Sequence, residues 1–395
     1  MRRLSAHFIF LGDGRILEKG VITCDDQGTI INIEDNKGQL REAANIEFYN
    51  GILMPGMVNA HCHLELSDTK GAIPRNTTLP GFIRHIINLE RDSLSTRDAK
   101  ARVADRVMFD AGISVIGDIS NGIESFEVKR NSKILYHTFV EALGMDEQRA
   151  SASFESVKMV YNEAIKKGLN ASIVPHAPYS VSRLLMSKID LFDKNSIISI
   201  HNQESASENQ LFLSGDGNMA VHLSDNIGLN MKEFTPLNQT SIHYHGSLIS
   251  DTHPLLLIHN TDMNSADIDF IVDKHGMKNL ALVLCPKSNL YIENNLPDIN
   301  MFMEKNMLLA LGTDSLASND TLSLVEEMKI IQNNFPNITL NSLIEMATIN
   351  GAMALQQDET YGSIEVGKRP GIVHLKSVDL KNIRLTENSS SVRII

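Results

Sequence analysis

At 395 residues, 42% hydrophobic and 21% charged, the chain has the composition of a folded globular protein and not of a disordered one. A net charge of −12 and an aromatic content of 5% argue against nucleic acid or an anionic membrane as partner, and leave a small molecule as the expected ligand. Three widely spaced cysteines, Cys24, Cys62 and Cys285, exclude a disulfide framework and a CxxC zinc site and fit a reducing cytoplasm. No stretch approaches the ~18 apolar residues of a membrane span, and no secretory leader is expected.

The first predicted element is GRILEKGVITCDDQGTIINIE (14–34), where apolar residues alternate about a DDQG turn and predict a β-hairpin. Eight apolar, β-branched runs follow, each ending in a polar residue: ILMPGMVNAHCH (52–63), ISVIGDIS (113–120), ILYHTFVEA (134–142), ASIVPHAP (171–178), IISIHNQE (197–204), LLLIHN (255–260), ALVLCPKSN (281–289) and LLALGTDS (308–315). Near-continuous apolar strands suit a parallel sheet buried on both faces, and the intervening LPGFIRHIINLERD and LSLVEEMKIIQNN carry helical periodicity. Eight such units predict an α/β fold, a (β/α)8 TIM barrel over residues 52–356. The tail from YGSIEVGKRPGIVHL onward is again β-like. Segments 1–51 and 357–395 are therefore expected to pair into a small β-sandwich domain beside the barrel, with the terminal ENSSSV stretch loose.

In such a barrel the chemistry gathers at the C-terminal ends of the strands. The polar residues there are His61, His63, Asp118, Glu141, His176, His201, His259, Ser288, Asn289 and Asp314. An HxH pair alone says little, because 14 histidines in 395 residues produce about half of one by chance. A second copy, His243 and His245 in SIHYHGS, lies in a polar segment expected to be a helix and its following loop, where i and i+2 do not face each other. Those two are read as solvated surface histidines, as are His253, His7, His85, His137, His222, His275 and His374. His61 and His63 differ by position. At a strand end both face the barrel interior while Cys62 faces the helices. Imidazole suits zinc, and a catalytic zinc takes at least three protein ligands, for which His201 and Asp314 are the remaining candidates. Glu204, three residues after His201, is placed to move protons beside a metal-bound water. Asp314 is read the same way, the alternative being a helix N-cap, a role that Ser315 or Ser318 could fill equally.

Together these residues resemble the amidohydrolase superfamily and, within it, the branch of metal-dependent deaminases and chlorohydrolases. PGMVNAHCH is similar to its first-strand signature, HNQE to its fifth-strand motif, HN at 259–260 to its sixth-strand histidine, GTDS to its eighth-strand aspartate, and GSIEVGKRPGI to the return strand of its small β domain. The resemblance implies that His61, His63, His201 and Asp314 hold a single divalent metal ion, zinc first and iron second. Binuclear members carry a modified lysine at the end of strand four, where this chain has PHAPYS and His176. HCHLELS, FVEALG and PHAPYS further resemble the aminofutalosine deaminase group, with Cys62 in place of the more usual threonine and no acidic residue after the GK turn.

What the resemblance implies is hydrolytic deamination of an amino-substituted heterocycle, such as the adenosine-like nucleoside aminofutalosine. Asp314 then accepts the proton of water, Glu204 protonates the ring nitrogen, His259 orients the attacking water, and Glu141 and His176 hold the substrate. A homodimer is the implied assembly. Hydrolysis of another C–N or C–Cl bond in a cyclic small molecule is the second reading. A metal-dead scaffold would lack ligands that are all present here. The HxE/PCxxC deaminase class is excluded, since this chain has CPKS.

Overall fold

A computed structural model describes residues 1–39 and 45–395; residues 40–44, inside the expected first segment 1–51, lie outside the described residues. Alternation near the N-terminus produces five strands: β1 (Arg2–Phe10), β2 (Ile16–Glu18), β3 (Val21–Cys24), β4 (Ile30–Glu34) and β5 (Ile46–Pro55). The expected hairpin is the antiparallel pair β3–β4, with Ile22 opposite Ile33. Its turn is built by Asp25, whose Oδ1 accepts the backbone N–H of both Gln27 and Thr29 at 2.8 Å. An Asx turn of this kind is why Asp and Gly mark such corners.

The barrel strands are β6 (Met57–Cys62), β7 (Ile113–Ser120), β8 (Leu135–Ala142), β9 (Asn170–Pro175), β10 (Ile198–Asn202), β11 (Leu255–His259), β12 (Leu280–Leu284) and β13 (Leu309–Leu311). They pair in parallel as two four-stranded sheets, β6 to β9 and β10 to β13. Two seams close the ring. His201 donates its N–H to the His176 carbonyl at 2.9 Å, and Thr313 and Asp314 donate theirs to the His61 carbonyl at 3.0 and 3.1 Å. The strand expected over 281–289 stops at Leu284, because Pro286 opens the helix Pro286–Ile292. Ser288 and Asn289 therefore reach the mouth from the first turns of a helix.

The tail adds β14 (Ile372–Lys376) and β15 (Ser390–Arg393), giving a seven-stranded terminal sheet in the order β15-β14-β5-β1-β3-β4, with β2 on β1. Leu4, Ile9, Ile22, Leu53, Ile364 and Ile372 form its own apolar core. The second half of the stretch expected to be loose, residues 390–392, belongs to β15, and Arg393 ties that strand to the barrel through the carbonyls of Phe109 and Ile113 at 3.0 and 2.8 Å. The expected join between residues 51 and 52 falls inside β5, since Ile52 to Pro55 pair with Leu375 to Ile372. The chain turns into the barrel at Gly56, where a Cβ would overlap Ser114 Oγ and the Pro370 carbonyl.

β6 is irregular, and the irregularity aims the HxH pair. Val58 and Ala60 pack with Val115, Ile119 and Phe139 in the barrel interior, so unbroken alternation would send Cys62 inward and His61 outward. The register shifts between Asn59 and Cys62, and Cys62 packs instead with Met57, Leu64 and Met108 in the layer between strands and helices. A β-bulge re-aims side chains in this way. It is pinned across the seam by Asn59, which exchanges hydrogen bonds with Thr313 Oγ1 at 2.7 Å and Thr313 N–H at 3.1 Å.

The turn after β6 hangs on a buried ion pair. Asp118 accepts the N–H of Leu64 at 2.7 Å and meets Lys129 Nζ at 2.6 Å, both side chains being fully buried. Lys129 also donates to Ser120 Oγ at 2.8 Å. Removing one partner of a buried pair leaves an uncompensated charge. Lys129→Met is therefore expected to cost about 3–5 kcal/mol in chemical denaturation. Adding Asp118→Asn, which keeps an acceptor for Leu64, is expected to recover most of that loss.

Candidate metal centre and active site

Five elements deliver the side chains to one mouth. The β6 bulge supplies His61 and His63, β10 supplies His201, β11 supplies His259, and the loops after β10 and β13 supply Glu204 and Asp314. Left-handed backbone recurs at this mouth, at Gln203 (φ 44°), His259 (φ 71°), Asn260 (φ 57°) and Asp314 (φ 54°). Such conformations cost of order 1–3 kcal/mol each and persist where packing over-determines them.

Ring nitrogens of His61, His63 and His201, each able to offer a lone pair to a metal ion, lie within 4.8 Å of one another. The Nε2 atoms of His61 and His63 approach to 3.1 Å, and Asp314 Oδ1 stands 3.4 Å from His63 Nε2 and 3.7 Å from His61 Nε2. The other oxygen of Asp314 is saturated, accepting hydroxyl hydrogen bonds from Ser288 and Ser318 at 2.6 Å each. Asp314 is not a helix cap. The next helix, Leu324–Asn334, begins ten residues later after Ser323, and Ser318 serves the carboxylate instead of a cap.

His201 Nδ1 lies 2.8 Å from the His176 carbonyl, which can only accept, so Nδ1 carries the proton and Nε2 keeps the lone pair. Glu141, His176 and His201 also bring donor atoms within 4.8 Å of one another. That second set is the weaker one: His201 Nδ1 is already bonded, and His176 Nδ1 pairs with Ser180 Oγ at 2.7 Å.

Burial dominates the titration of the site. Together with neighbouring imidazoles it pushes His63 down to about 3 and His259 down to about 4, so both are neutral and hold lone pairs. For Asp314, burial acts upward, but the surrounding histidines outweigh it and hold the carboxyl well below its usual range. Glu204 is pushed well above the carboxylate range by burial and by the charge of Asp314. Two imidazole nitrogens at 3.1 Å in a buried site face each other comfortably only with a proton or a cation between them. Neutral imidazoles beside an ionised carboxylate thus form a donor set that fits a divalent transition metal.

Glu204 Oε1 lies 3.6 Å from His259 Nε2. The strained turn carrying Glu204 is held by Glu208, which accepts the N–H groups of Gln203 at 2.9 Å and Glu204 at 3.1 Å and the Ser241 hydroxyl at 2.5 Å. Sequence reasoning passed over Glu208, although Ser205-x-x-Glu208 is a readable capping-box pattern. Here the glutamate reaches past the Ser205 cap to the two preceding residues. All eight residues expected at the site converge, and a cavity of about 490 Å³ opens beside them, lined by His63, Glu141, His176, His201, Glu204, His259 and Asp314 and walled by Leu79, Phe82 and Ile83.

None of the other histidines joins this cluster, but the expectation that they are solvated is wrong for most of them. His245 and His253 are fully buried, His245 bonding Asn202 Oδ1 at 2.8 Å and His253 the Ser196 carbonyl at 2.9 Å. His222, His275 and His374 are buried as well, and His7, His85, His137 and His243 are half-buried. Polar neighbours in sequence did not reveal which helices pack over these rings.

The chain is similar along nearly its whole length to proteins of one kind. It is 27% identical over 380 residues to an adenosine deaminase of Helicobacter pylori, covering 93% of this chain and 90% of that one. It is 26% identical over 401 residues to an aminodeoxyfutalosine deaminase of Nitratiruptor sp., covering 99% and 93%. The crystal structure of Helicobacter pylori aminofutalosine deaminase with methylthio-coformycin superposes with a TM-score of 0.82 at 22% identity, covering 100% of both chains, which shows the fold. The sequence model described as the amidohydrolase family matches residues 52–393, and the chain belongs to that family.

Proposed function

We propose that this chain is a metal-dependent hydrolytic deaminase acting on an amino-bearing, adenosine-like nucleoside. The observation that carries this reading is the convergence of three buried imidazoles, the Asp314 carboxylate and the Glu204–His259 pair on one cavity of ligand size. The names of the curated relatives, deaminases of adenosine and of aminodeoxyfutalosine, support the substrate class. Three unpaired, buried cysteines support a reducing cytoplasm as its place of action, and among the described residues no helix is long and apolar enough to cross a membrane.

His61, His63, His201 and Asp314 would hold one divalent ion, zinc by the preference of imidazole-rich sets, with iron second. When bound, it supplies Lewis acidity that lowers the pKa of water from about 15.7 toward about 7. The protein's own groups do the rest. Asp314 accepts the proton of the attacking water through Oδ1, because the two serine hydroxyls occupy its Oδ2. Glu204, kept protonated by burial, donates to the ring nitrogen next to the amino-bearing carbon and then helps ammonia leave. His259, neutral and 3.6 Å from Glu204, orients the water. Glu141 and His176 hold the substrate from the ends of β8 and β9.

The reading is tested by ammonia release from adenosine, aminodeoxyfutalosine, methylthioadenosine, S-adenosylhomocysteine and guanine with zinc-loaded protein. At least one nucleoside is expected to turn over, a chelator to abolish the activity and added zinc to restore it; ammonia from none of them overturns the proposal. Asp314→Ala is expected to keep the melting transition of a folded barrel while kcat falls by about 10³-fold or more. In the Ser288→Ala/Ser318→Ala protein, which leaves Asp314 Oδ2 without donors, kcat is expected to fall by about 10-fold with bound metal retained in elemental analysis.

A further inference from the structure

Glu327 is a fully buried carboxylate that the chemistry above does not use, and it does not line the cavity. It stands in the first turn of the helix Leu324–Asn334. Its Oε2 accepts the backbone N–H of Lys287 at 2.8 Å, and its Oε1 accepts the side-chain amide of Asn319 at 2.8 Å. Lys287 is the residue before Ser288, and Asn319 is the residue after Ser318. Each oxygen of Glu327 therefore holds the chain neighbour of one of the two serines that donate to Asp314 Oδ2.

Asn319 carries the grip to the backbone of Asp314 as well. Its Nδ2 also donates to the Thr313 carbonyl at 3.0 Å, and its Oδ1 accepts the N–H of Thr321 at 3.2 Å. Thr313 immediately precedes Asp314, whose left-handed backbone (φ 54°) needs such support. The two serine hydroxyls lie 2.9 Å apart on segments far from each other in sequence, the helix Pro286–Ile292 and the loop after β13. A buried carboxylate is costly, and an apolar side chain of similar volume often packs at lower cost. The nearest cation does not offset that cost by direct contact, since Lys287 Nζ pairs with Asp320 at 2.8 Å. What a carboxylate secures here, and an apolar side chain cannot, is two donors from separate segments held at one fixed spacing.

We propose that Glu327 is a positioning residue for Asp314. By binding Lys287 and Asn319 it keeps Ser288 and Ser318 side by side, so that Oδ2 stays occupied and Oδ1 is the oxygen left to take the proton of water. This rests on the deaminase reading above. Glu327 touches neither substrate nor metal ligand in this scheme and acts only through the two serines and the Asp314 backbone.

The test is steady-state kinetics on zinc-loaded wild type, Glu327→Gln, Ser288→Ala/Ser318→Ala and the triple variant that combines them. Glutamine keeps the size of the side chain but turns an NH2 group toward a donor, so one of the two bonds is lost. Glu327→Gln is expected to lower kcat by about 10-fold and to leave KM within about 2-fold, because Asp314 acts in the transition state and other residues hold the substrate. Since the glutamate works through the serines, the triple variant is expected to be no more than about 2-fold slower than the serine double variant. Elemental analysis is expected to show bound metal retained throughout. If Glu327→Gln lacks the melting transition of wild type, Asn319→Ala, which releases one oxygen only, is measured in the same way against Ser318→Ala. An unchanged kcat, loss of the metal, or losses that multiply in the combined variant would overturn the positioning role while leaving the deaminase standing. Ammonia from no nucleoside with wild type overturns both.

Discussion

The pairing of Asn59 with Thr313 across the seam between the first and last barrel strands is the constraint on which the site depends. It holds a bulge in β6 at the place where alternation must invert, and it does so beside the backbone bonds from Thr313 and Asp314 to the His61 carbonyl. One closure thus sets three things together: the barrel is complete, His61 and His63 turn inward, and Asp314 is brought to 3.4 Å from His63. Gly312 is part of the same fit, since a Cβ there would press on His61 and Cys285 Sγ. Inward-facing imidazoles could not be obtained from a regular strand with Val58 and Ala60 in the core.

Around that seam the protein holds polar groups in a dry environment by saturating them on the side away from the substrate. Asp314 gives one oxygen to two serines, His201 gives Nδ1 to a carbonyl, Glu208 takes up the amides of the Glu204 turn, and Asp118 holds Leu64 while itself held by Lys129. Among the described residues, the anchors on Asp314 and His201 leave Oδ1 and Nε2 without a hydrogen bond from the protein, and both residues line the cavity, where low dielectric makes an unmatched acceptor or lone pair count most toward a ligand. The left-handed residues at the same mouth are tolerated because the strands beneath them are fully buried and cannot relax.

The terminal sheet is tied to this arrangement mechanically. β5 runs without interruption from that sheet to Gly56 and into the bulged strand, and Arg393 of β15 clasps the backbone at the start of β7. The two ends of the chain therefore brace the first two barrel strands, which carry His61, His63 and Asp118. A rigid scaffold below and loops above is the usual division of labour in barrels of this kind.

Eight apolar runs with polar ends were enough to establish the barrel, because a strand buried on both faces must be apolar along its length and can afford polar residues only where it leaves the core. For the same reason His61, His63, His201, His259 and Asp314 were legible as a group: their positions at strand ends carry the information, not their local motifs. Other features depend on contacts between distant segments and have no local signature. The bulge in β6 needs Thr313, the buried His245 and His253 bond to Asn202 and to the Ser196 carbonyl from far along the chain, and the grip of Asn121 on Glu65 and Glu141 joins three separate strand ends. The tail that reads as a loose serine run becomes β15 only because β14 presents it with an open edge. Periodicity and residue type thus decide which elements form and which ends carry the polar residues that cluster at the mouth. Only the closed barrel decides which atom of each side chain stays free, since that depends on partners from far along the chain.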